Sequence, residues 1–85
     1  MAETIHFALR NNQMTDVTVN VQDDRTGRLA LEAFPLNQSE SVNVEVVADS
    51  SGRGSATWAF ASSDGSVNSN KHQPDIRDGD ECTLG

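Results

Sequence analysis

The stretch Asp16–Gln22 reads Asp-Val-Thr-Val-Asn-Val-Gln, with valines at 17, 19 and 21 separated by Thr18 and Asn20. β-Branched residues at every second position describe a pleated strand with one face buried and one in water. A helix of this sequence would scatter the same valines around its circumference. The pattern recurs. Thr4–Arg10 places Ile5, Phe7 and Leu9 on one face, and Ser41–Ala48 places Val42, Val44 and Val46 on one face. Ser55–Ala61 sets Ala56, Trp58 and Phe60 opposite Thr57 and Ala59. Leu29–Phe34 alternates less cleanly and has helix-forming residues, but Gly27 and Pro35 bracket it too closely for a helix. Glu81–Leu84 reads as a last short strand with Cys82 and Leu84 inward.

Turn residues separate these runs. Asp23–Gly27 reads as a hairpin with Gly27 left-handed; Pro35–Ser39 reads as a corner, and Asp49–Gly54 as a further hairpin loop. Asp64-Gly65 and Asp78-Gly79 are turn dipeptides. Short strands at this spacing predict an all-β fold: a small antiparallel β-sandwich of six or seven strands, with an immunoglobulin-like topology as the guess. The predicted core is Ile5, Phe7, Leu9, Val17, Val19, Val21, Leu29, Leu31, Val42, Val44, Val46, Trp58, Phe60, Ile76 and Leu84. Asn68–Pro74 has no apolar residue and reads as a mobile loop in preference to a polar edge strand.

An 85-residue chain forms one domain, 1–85, with a single core layer. That leaves little room for a walled, water-free catalytic cleft. Six basic residues against thirteen acidic ones give a net charge of −7. This disfavours nucleic acid and anionic membrane as partners through bulk electrostatics, so neither is expected, and suits a soluble protein. The single cysteine rules out an internal disulfide. No run is long and apolar enough to be a helical span, and Met1-Ala2-Glu3-Thr4 opens no signal peptide, so a cytoplasmic location is the expectation. Asn37-Gln38-Ser39 matches a glycosylation acceptor by chance.

Candidate sites are few. His6, His72 and Cys82 have no zinc-ligand spacing, and no cofactor motif is present. Asp75, Asp78, Asp80 and Glu81 crowd four carboxylates near one turn and are the candidate calcium ligands, with a solvated acidic turn as the plainer reading. Arg53, between Gly52 and Gly54, is a candidate for meeting an anion. Trp58 is a ligand-binding candidate if its face points outward, and core if inward. No nucleophile elbow is present; catalysis would need His6 or His72 to converge with Ser, Asp or Cys82.

These features predict a non-enzymatic protein-interaction or structural module that meets a protein partner through an edge strand. The alternatives are a carbohydrate- or calcium-dependent binding domain and, less favoured, a small hydrolase. A homodimer is expected, if at all, through the first strand, which carries no guarding residue, or through its exposed face, with Lys71 and Pro74 blocking the stretch 68–74.

Overall fold

A computed structural model describes residues 3–85; Met1 and Ala2, which carry part of the leader reading, lie outside the described residues. The strands are β1 (Thr4–Arg10), β2 (Val17–Asp23), β3 (Leu29–Leu36), β4 (Ser41–Val47), β5 (Arg53–Ala61), β6 (Asn68–Arg77) and β7 (Glu81–Thr83). They form a three-stranded sheet in the order β4-β1-β7 and a four-stranded sheet in the order β3-β2-β5-β6. The all-β two-sheet architecture follows from the alternation. Neighbouring strands run antiparallel except β1 and β7, which pair in parallel with Leu9 opposite Cys82. Among the described residues, no helix is long and apolar enough to cross a membrane.

The inward faces meet between the sheets. Phe7, Leu9, Val19, Val21, Val44, Val46, Trp58, Ile76 and Leu84 are buried there, as their positions in the alternating runs predict. The Phe7 and Trp58 rings lie 6.1 Å apart with their planes tilted by 31°. Gly54 faces this layer at a point with no room for a side chain, because a Cβ on it would lie 2.7 Å from Val46 Cγ2 and 2.8 Å from Ile5 Cδ1.

Three polar side chains tie the two sheets together. The Trp58 indole donates to the Leu84 carbonyl oxygen at 3.0 Å. Buried Asn11, just after β1, donates to the carbonyls of Thr15 and Leu36 and accepts from the Gln13 amide. Buried Asp23, at the end of β2, accepts from the amides of Val47 and Arg25. Each satisfies backbone groups that would be costly to bury unpaired.

Four sequence expectations are corrected. Asn68–Pro74 is the outer strand of the larger sheet and not a mobile loop, because its backbone pairs with β5 from Asn68↔Ala61 to Gln73↔Ala56. The first strand is not an edge: β4 and β7 flank it on either side, so it has no free edge on which a second copy could pair. Asp49–Gly54 carries the chain between sheets and does not close a hairpin. In β3 the alternation breaks. The pairing with β2 shifts between Val19 and Val21 and again between Val21 and Gln22, and Ala33 has a φ of 47°. Leu29 is consequently 50% exposed and Leu31 half-buried, while Leu36, read as part of a corner, is core.

Candidate functional site

Trp58 lies in β5 facing inward, with 0% of its surface exposed, so it offers no platform to a sugar ring or a partner. Arg53 begins β5. The amides around it are already served by an internal anion, since Asp49 Oδ1 accepts from the amide of Ser51 at 2.8 Å and that of Arg53 at 3.0 Å. The Ser51 hydroxyl donates to the same oxygen at 2.6 Å. These bonds, with Arg25 2.9 Å away, hold the Asp49 carboxyl at about 2, below the ordinary 3.8. The turn at Asp64 repeats the device. Ser62 and Ser66 donate to its carboxylate and hold it at about 2.

Two of the four acidic candidates hold backbone amides. Asp78 Oδ1 accepts from the His6 amide at 2.9 Å, standing in for a strand partner beside β1 just before β7 begins. Asp80 Oδ2 accepts from the Arg77 amide at 2.9 Å and closes the turn that Gly79, at a φ of 85°, makes possible. Asp75 has a φ of 57° where the β5–β6 pairing is irregular, and Glu81 is exposed in β7. Among the described residues, no three His, Cys, Asp or Glu side chains converge with metal-holding geometry.

One of the two histidines does meet an acid and hydroxyls. On the outer face of the four-stranded sheet, His72 Nδ1 lies 3.2 Å from Asp24 Oδ2 and 3.0 Å from the Thr57 hydroxyl. The Thr57 and Ser55 hydroxyls both donate to Asp24, at 2.9 Å and 2.7 Å. In a nucleophilic triad the acid orients the histidine and the histidine takes the hydroxyl's proton. Here both hydroxyl protons go to the acid. His72 is 59% exposed on an open sheet face with no wall to exclude water. The other histidine, His6, lies 3.2 Å from Glu45 on the outer face of the smaller sheet.

Cys82, in β7, is half-covered. Burial, with Asp80 adding to it against an opposing pull from Lys71, pushes its thiol up from the ordinary value, so it is a poor nucleophile.

The strand edges differ sharply. β6 carries Lys71 directly opposite inward-facing Trp58, hence on the inner face, and Pro74 further along. Both discourage further pairing. β3 carries Pro35, the positive φ of Ala33 and the register shifts. β7 is three residues long. β4 has no proline, lysine or register shift in seven residues. The bonds from Ala48 N to Glu3 O and from Asn11 N to Glu40 O set the alternation of the β1–β4 ladder. Val42, Val44 and Val46 therefore bond inward to β1, and the backbone groups of Asn43, Glu45 and Val47 face outward. Asp23 takes the Val47 amide, and among the described residues nothing pairs with those of Asn43 and Glu45. Beside this edge runs a groove of about 230 Å³ lined by Glu45 and Val47 on one side and by Thr26, Arg28, Leu29 and Ala30 on the other, with Asp23 between. This edge is not visible in the strands taken singly, because an edge is a property of neighbours. The absence of guarding residues in 41–47 was the available signal.

No family model, no curated protein and no solved structure gives a significant match to this chain. Fold and site together define a small two-sheet β-sandwich with one unguarded strand edge.

Proposed function

We propose that this domain is a non-catalytic interaction module that receives an extended segment of a protein partner along β4. The carrying observation is that three of the four outer strands are blunted while β4 presents an unbroken edge beside a groove. Strand addition draws its affinity from main-chain hydrogen bonds and its selectivity from pockets for alternate side chains. The outward groups of Asn43 and Glu45 supply the first; the groove lined by Leu29 and Ala30 supplies the second. The open setting of the Asp24–His72 pair supports a non-catalytic role.

The strand order also supports an immunoglobulin-like reading in permuted form. If β1 takes the place of the second strand of such a sandwich, β2, β3, β5 and β6 fill the sheet carrying the C, C′, F and G strands, and β4 takes the place of E. β7 then occupies the first strand's place, in parallel orientation.

The test is selection from a displayed library of random peptides, followed by binding to Asn43→Pro. This substitution removes an outward N–H and leaves the β1–β4 ladder intact. Selected peptides should lose about tenfold or more in affinity on the variant. Peptides that bind both proteins equally would contradict the reading.

A further inference from the structure

The chemistry of the added segment can be read from what flanks the edge. We infer that it alternates apolar residues with lysine or arginine; this rests on the β4 reading above. Successive side chains of an added strand point to opposite faces. On the outer face they lie beside Glu45, an exposed carboxylate whose Oε2 is 3.1 Å from the Thr4 hydroxyl and 3.2 Å from His6 Nε2. A cationic side chain there meets an exposed carboxylate. On the other face they meet the groove, where Leu29 is 50% exposed and Ala30 partly so. An apolar side chain there covers surface that the fold leaves in water.

Three charged groups line the groove: Asp23, Glu45 and Arg28. Asp23 already accepts two amide bonds and is buried, so Glu45 is the exposed acid at this edge, and the chain as a whole carries −7. A second copy is the weaker occupant, because it would bring another −7 and its own Glu45 to the interface. A basic segment is drawn in by the same field that repels a copy.

Three nine-residue peptides test this by fluorescence anisotropy at low and moderate salt: alternating Val and Lys, alternating Val and Glu, and the Val/Lys peptide with alternate amides N-methylated. The Val/Lys peptide should bind at least about tenfold more tightly than either of the others, and more weakly as salt rises. Glu45→Gln should weaken it about threefold and flatten the salt dependence, and Asn43→Pro should weaken it about tenfold. The N-methylated peptide tests the edge bonds even if Asn43→Pro fails to fold. Equal binding of the Lys and Glu peptides, both lost on Asn43→Pro, would overturn the basic-segment inference and leave the edge reading standing. Lys-peptide binding untouched by Asn43→Pro and by N-methylation would overturn both. No binding by the Val/Lys peptide, or a dimer abolished by Asn43→Pro, would overturn the basic-segment inference.

Discussion

Trp58 Nε1 donates to the carbonyl oxygen of Leu84 at 3.0 Å, so the largest side chain of the core is also a polar link from β5 to the end of β7. Trp58→Phe keeps an aromatic ring against Phe7 but leaves a buried carbonyl unpaired and part of the indole volume empty. We expect a loss of about 2–4 kcal/mol in urea unfolding.

Asp23 is the corresponding link at the β4 edge, where it accepts the Val47 and Arg25 amides. Asp23→Ala should cost about 2–4 kcal/mol, because the Val47 amide loses its acceptor in a half-buried position. Asp23→Asn retains one acceptor oxygen and should cost less. Comparing both variants by chemical denaturation checks the ordering.

Gly54 and Gly27 should each resist alanine for a different reason. At Gly54 the new methyl would press on Val46 and Ile5 at 2.7 and 2.8 Å, an overpacking cost of about 1–3 kcal/mol. At Gly27 there is open space, but the φ of 72° strains an L-residue by about 1–2 kcal/mol. Adding a core-relieving Val46→Ala should recover part of the loss for Gly54→Ala and none for Gly27→Ala, which thermal unfolding of the four variants measures.

Asp49 and Asp64 both sit at about 2 in the folded protein against an ordinary 3.8. A carboxyl lowered on folding stabilises the fold where it is ionised in both states, that is, above about 3.8. That contribution fades as the pH falls from there through about 2. Stability should therefore decline across this window, and the Asp49→Asn and Asp64→Asn double variant should show a shallower decline. Both carboxylates lie at the surface, so the difference should be modest and reduced by salt.

Much of the fold is legible in the sequence because Val17–Val21, Val42–Val46 and Ala56–Phe60 each face one buried layer, and period-2 alternation encodes that directly. β3 is not, because its pairing with β2 shifts twice and throws Leu29 outward; no local pattern records a shift that depends on the partner strand. Asn11 and Asp23 look like ordinary turn residues until the opposite sheet supplies Leu36 and Val47. At 75–81 composition shows only a run of carboxylates; that Asp78 and Asp80 hold the His6 and Arg77 amides is set by the fold. The open edge is hidden for the same reason: β4 and β1 alternate alike, and only sheet order separates the edge strand from the central one.

Amide hydrogen exchange along β4 tests the central claim most directly. In the free protein the amides of Asn43 and Glu45 should exchange fast, while Val42, Val44, Val46 and Ala48, which bond to β1 and Glu3, exchange slowly. Val47 should be slow as well, protected by the Asp23 carboxylate, and should become fast in Asp23→Ala. Protection of Asn43 and Glu45 equal to that of their neighbours would mean that the edge is already covered, and would contradict the account.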